Sequence, residues 1–106
     1  MLKKTRARYL ALIIDSDEMF GSREFMSAVW GSVLRLYGEY GASQTGLALI
    51  DYDVEKKLAI LRTVHTTVDI VRAALASITI IRDRPVAVHV LAVSGTIKAL
   101  SKKIRQ

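Results

Sequence analysis

The chain has 106 residues, 51% hydrophobic and 25% charged, which excludes a wholly disordered polypeptide and suits a single domain over 1–106 with one core. It contains no cysteine, which excludes disulfides, thiolate metal sites and a cysteine nucleophile. The net charge of +6 comes entirely from the ends: residues 1–8 carry Lys3, Lys4, Arg6 and Arg8, residues 98–106 carry Lys98, Lys102, Lys103 and Arg105, and residues 9–97 keep eight cations against ten acids, a net of −2.

A basic arm (1–8) and a basic terminal helix (95–106) on a near-neutral body point to a polyanion, most often nucleic acid. Solvated tails are the plainer alternative. No apolar run approaches the ~18–20 residues that span a bilayer. The run Tyr9–Ile14 is stopped by Asp15-Ser16-Asp17-Glu18, too short for a secretory signal core. A soluble cytoplasmic protein without a membrane partner is expected.

Arg8–Asp15 (RYLALIID) reads as a central strand. Ser22–Tyr37 reads as a helix capped by Ser22, with Phe25, Met26, Val29, Val33 and Leu36 on one face and Gly38 as its stop. Gly38–Ser43 then reads as a glycine-bounded loop. Thr45–Asp51 and Lys57–Arg62 are short strands around a polar hairpin connector. A second helix is predicted over about Val64–Ile78, with Arg62, His65, Asp69 and Arg72 along one stripe. Residues 76–84 are ambiguous between helix and extended chain, with a turn at Arg82-Asp83-Arg84 before Pro85. Val86–Val93 is the last strand, and Ser94-Gly95-Thr96 opens a helix over Ile97–Ile104.

The order β-α-β-β-α-β plus a terminal helix predicts an α+β fold. It is the two-layer ferredoxin-like (split β-α-β, RNA-recognition-type) sandwich, a four-stranded antiparallel sheet in order 4-1-3-2. That topology brings both basic ends to one end of the sheet. It sends Asp15, Asp17, Glu18, Asp51, Asp53 and Glu55 to the other. Strict alternation puts Leu10, Leu12, Ile14, Leu47, Leu49, Leu58, Ile60, Val86, Val88 and Val90 under the helices. The second face then carries Tyr9, Ala11, Ile13, Ala48, Ile50, Ala59, Leu61, Ala87, His89, Leu91 and Val93. Too apolar to stay wet, this face calls for the terminal helix, a second copy or a protein partner. Tyr9, Ala11, Ala48, Ile50, Ala59, Leu61, His89 and Leu91 are its candidate interface residues.

An RNA-recognition domain of this topology stacks bases on aromatics of its central strands. Here the third strand has none, so RNA contact is expected at loops, strand ends and helix ends instead. The Asp15-Asp17-Glu18 and Asp51-Asp53 groups fit turn-forming roles better than magnesium binding. Neither sits beside a base–nucleophile pair, so no catalytic residue is assigned. Two separated histidines make no zinc site, and no metal ligand is assigned. Ser94-Gly95-Thr96-Ile97-Lys98 is a strand–cap–helix corner suited to phosphate, or simply a helix cap. An ACT-like regulatory module that dimerises through its sheet shares the topology, but basic ends do not suit it. An acylphosphatase would want an arginine after strand one, where this chain is acidic.

Arg8-Tyr9-Leu10-Ala11-Leu12, Gly38-Glu39-Tyr40-Gly41, Gly46, Arg62, Val71-Arg72-Ala73-Ala74-Leu75 and Val93-Ser94-Gly95-Thr96-Ile97-Lys98 stand in an order that resembles one family. It is protein component 2 of archaeal ribonuclease P, with eukaryotic relatives in ribonuclease P and MRP. The resemblance covers roughly residues 8–99, and the Ser-Gly-Thr-Ile-Lys piece is its most specific part. It implies a non-catalytic subunit of the ribonucleoprotein that removes the 5′ leader of precursor tRNA. It also implies a partnership with ribonuclease P RNA and protein component 3, two copies of each protein, and only indirect contact with precursor tRNA. The RNA, with magnesium ions, is the implied catalyst, and no cofactor is expected on this chain. The expected RNA contacts are Lys3, Lys4, Arg6, Arg8, Arg62, His65, Arg72, Ser94, Thr96, Lys98, Lys102 and Lys103.

Overall fold

A computed structural model describes residues 6–104 of the chain. The elements run β1 (Ala7–Asp15), α1 (Ser22–Ser43), β2 (Ala48–Asp53), β3 (Leu58–Val64), α2 (Val68–Ala76), β4 (Ile80–Ile81), β5 (Arg84–Pro85), β6 (Ala87–Ser94) and α3 (Ile97–Ile104). The main sheet has the order β2-β3-β1-β6, all neighbours antiparallel. That is the 4-1-3-2 order of the ferredoxin-like sandwich. β4 and β5 form a separate hairpin in the segment that read ambiguously. Arg82 (φ 51°) and Asp83 (φ 62°) both take left-handed backbone at its tip, as a tight hairpin turn requires.

α1 runs further than predicted. Gly21, not Ser22, is its cap position, and Glu24 Oε1 accepts the Gly21 N–H at 3.1 Å. Gly38 does not stop the helix. At φ 73° and ψ 179° it bends the chain, and a further helical turn runs to Ser43. Ala42 docks in the core beside Val33 and Ala74, which holds that turn in place. The predicted Gly38–Ser43 loop is therefore helical. At the start of the predicted second helix, Val64 completes β3, His65–Thr67 make a 3-10 turn, and α2 proper begins at Val68.

The main core lies between sheet and helices. Leu10, Leu12 and Ile14 of β1 meet Phe25 and Val29 of α1 and Val71 and Leu75 of α2. β3 turns Ala59 and Leu61 into this core, the reverse of the predicted faces. The register makes the reason plain: Leu61 lies opposite Leu10, Ala59 opposite Leu12, and Ile60 opposite Ala11. Directly opposed residues share a face. Ala59 and Leu61 are thus core residues and not interface residues, whereas Leu58 and Ile60 belong to the second face. Two bulges reset the alternation elsewhere, between Leu49 and Asp51 of β2 and near Leu91 of β6. The second bulge returns Val93 to the helix side, packed against the main core.

α3 folds back over half of the second face. Leu100, fully buried, packs with Ala11 and Ile60, and Tyr9, Ala92 and Ile104 close around them. Ala11 is consequently covered by the chain itself and is not open to a partner. Ile50 (38% exposed) and Leu91 (51% exposed) remain uncovered, as does His89.

Tyr52 ties β2 to the loop before α1. Its hydroxyl donates to the Phe20 carbonyl at 2.6 Å, and its ring stacks on Phe25 with centroids 5.5 Å apart. Burial first, and the Glu24 carboxylate second, raise its phenol above the ordinary 10.0. The fold retains the neutral phenol, so this stabilisation is complete below pH 10 and is lost as pH climbs through the folded value. Tyr52→Phe should cost about 1 kcal/mol at pH 7. It should also flatten the loss of stability above about pH 10. Denaturant unfolding at both pH values tests this, and an unchanged alkaline slope contradicts it.

Candidate nucleic-acid interface

The strand directions gather one set of corners at one end of the sheet. These are the start of β1, the end of β3 and the end of β6, joined there by the segment that follows α1. The pairs Ala7–Val64 and Tyr9–Ser94 close this end. His65 holds the incoming chain: its backbone N–H donates to the Arg6 carbonyl at 2.8 Å, and its Nδ1 lies 3.1 Å from the same oxygen. Arg62 stands on the second face, with Tyr9 opposite it on one neighbouring strand and Ala48 on the other. Arg8 belongs to the helix side of β1 by its pairing with Thr63. Its Nη1 donates to the Ala7 carbonyl at 3.0 Å and lies beside Gly95.

At the β6–α3 corner Thr96 is a helix cap, its Oγ1 accepting the Ala99 N–H at 3.1 Å. Lys98 and Lys102 are exposed on α3, and Lys103 Nζ donates to the Val93 carbonyl at 2.7 Å. Arg6, Arg8, Arg62, His65, Ser94, Thr96, Lys98 and Lys103 therefore share one end of the molecule. Lys102 flanks them on α3. Arg72 is not among them: it is exposed on α2, in the helix layer behind the sheet. Lys3 and Lys4 lie outside the described residues.

Beneath these cations runs a threonine chain that sequence reasoning missed. Thr63 Oγ1 donates to the Thr45 carbonyl at 2.8 Å and lies 2.9 Å from Thr67 Oγ1. Thr67 Oγ1 reaches the Val64 carbonyl at 2.9 Å, and Thr45 Oγ1 donates to the Ala42 carbonyl at 2.8 Å. All three threonines are buried, so each hydroxyl has found the partner that burial demands. The chain fastens the end of α1 to the corner that bears Arg62 and His65. A cluster of threonines at predicted element ends was the available signal.

At the opposite end two of the carboxylates are paired. Glu18 pairs with Arg84 at 3.3 Å and Glu24 with Arg82 at 2.7 Å, and the Lys57 ammonium donates to the Ser16 carbonyl. Asp51 and Asp53 accept the backbone N–H groups of Tyr52 (2.9 Å) and Lys56 (3.0 Å), so they build the hairpin. Both ion pairs among the described residues lie at this end, and none engages Arg6, Arg8, Arg62 or the α3 lysines. Asp15, Asp17, Asp51, Asp53 and Glu55 join no ion pair among the described residues, so the basic end is set against an acidic one, as the topology predicts.

The sequence model of the Rpp14/Pop5 family matches residues 8–105. The chain belongs to this family. As an Rpp14/Pop5 member it is 36% identical to a Pyrococcus abyssi protein named ribonuclease P protein component 2, over 94% of this chain and 85% of that one. It is 32% identical to the protein of that name from Methanosarcina acetivorans, over 94% and 74% of the two chains. A chain in a structure of yeast ribonuclease MRP superposes on this Rpp14/Pop5 member with a TM-score of 0.74 at 17% identity, covering 99% of this chain and 92% of that one, which shows a shared fold. Among the described residues no helix is long and apolar enough to cross a membrane.

Proposed function

We propose that the chain is a non-catalytic protein subunit of ribonuclease P, the ribonucleoprotein that cleaves the 5′ leader from precursor tRNA. The observation that carries this is the convergence of unpaired cations from β1, β3 and α3 on one end of the sheet. Family membership and the names of the relatives support it. Cations held at fixed spacing on a rigid sheet neutralise phosphates where a folded RNA crowds them, releasing condensed counterions. The gain favours the closed RNA, which itself supplies the magnesium-dependent chemistry. Lys98, Lys102, Lys103, Arg6, Arg8 and Arg62 act through charge, with the basic arm of Lys3 and Lys4 added to them. His65, Ser94 and Thr96 shape the corner.

The uncovered half of the second face, with Ala48, Ile50, His89, Leu91 and the rim of Tyr9, is the surface for protein component 3, two copies of each protein per particle. The site of action is the cytoplasm. Reconstitution of precursor-tRNA cleavage from ribonuclease P RNA, component 3 and this chain at low magnesium tests the reading. The parent chain should raise the rate, and Arg6→Glu, Arg8→Glu and Lys98→Glu combined should abolish the rise. Equal stimulation by the triple variant defeats the assignment.

A further inference from the structure

Between the start of β1 and the end of β3 lies a cleft of about 330 Å³, lined by Arg6, Ala7, Gly46, Arg62, Thr63 and Val64. Two of its six lining residues are arginines, Arg6 just before β1 and Arg62 in β3, and none is acidic. Neither arginine joins an ion pair with a described residue, so their guanidinium forks meet no carboxylate. The lining offers no aromatic ring on which a base could stack. Gly46 contributes bare backbone at φ 55°, and a Cβ there would come within 3.2 Å of Val64 Cγ2. The walls are held by hydrogen bonds: Val64 N–H and Thr63 Oγ1 both donate to the Thr45 carbonyl at 2.8 Å, and His65 N–H fastens the Arg6 carbonyl. Such a cleft is organised before any ligand arrives, and that lowers the entropy lost on binding.

We propose that this cleft seats one backbone phosphate of the bound RNA, with Arg62 and Arg6 gripping its oxygens from two sides, while the α3 lysines act only as a diffuse positive field. Planar, bidentate recognition is what arginine offers a phosphate and lysine does not. The proposal rests on the RNA-subunit reading above and names the atom group that the site takes.

The experiment is RNA affinity across a salt series, with the full chain in complex with component 3 and ribonuclease P RNA as the probe. Arg62→Ala should weaken binding and reduce the slope of log affinity against log salt by about one. Arg62→Lys should restore the slope but not the affinity, because charge returns without the fork. Arg35→Ala, on α1 far from the cleft, should match the parent. Lys98→Glu with Lys102→Glu should weaken binding in any case. If that lysine variant binds weakly while Arg62→Ala keeps the parental slope, the phosphate seat is overturned and the RNA reading stands. If neither changes affinity, both fall.

Discussion

A chain carrying Phe25→Ala should lose about 3–5 kcal/mol of stability, a large part of what a small domain possesses. Phe25 is fully buried where α1 lies against β1, and its ring also stacks on Tyr52. Truncation removes the apolar area of the ring and leaves a cavity among Leu12, Val29 and Leu75, whose positions are fixed by strand register and helix packing and allow little collapse. The stacked Tyr52 would lose one side of its packing, which adds to the cost. The loss should appear as a lower denaturant midpoint with unchanged slope. A shift below about 1 kcal/mol would mean that α1 is not seated as described.

The second large effect is local rather than global. Leu100→Ala should release α3 while leaving the sandwich folded. α3 has eight residues, too few to be helical without docking. Leu100 is its one buried side chain, set between Ala11 and Ile60. Core truncations of this kind cost about 2–5 kcal/mol, which exceeds what a frayed terminal helix has to lose. Amide exchange over residues 97–104 should approach that of unstructured chain, whereas β1 and β3 stay protected. RNA affinity should drop as well, because Lys98, Lys102 and Lys103 would no longer be held over the basic end. Retained protection in α3 would refute this picture of the second face.

Apart from the β4–β5 hairpin, element order, strand order and the bounds of α3 were legible, helped by strong local punctuation: the Asp-rich stop after β1, Pro85 before β6, and the Ser-Gly-Thr cap. The faces of β3 were not. Lys57–Arg62 is apolar at every interior position, so alternation alone cannot tell one face from the other, and only pairing with β1 decides it. Bulges at Leu49–Asp51 and near Leu91 break the two-residue period with no turn residue to announce them. Gly38 misled because a left-handed glycine usually ends a helix, yet here it redirects one. Of the candidate site, the cations could be named from charge and expected topology. The cleft could not, since it depends on Gly46 and on hydroxyls bonded across 18 residues of sequence.

The threonine chain under Arg62 and His65 is made of neutral hydroxyls and carbonyls, already satisfied within the protein. Screening by dissolved ions acts on charges and leaves such bonds untouched. The platform that spaces the arginines should therefore keep its shape from dilute buffer to molar brine, and weakening of the complex along that range would register the ion atmosphere of the nucleic acid rather than any yielding of its support.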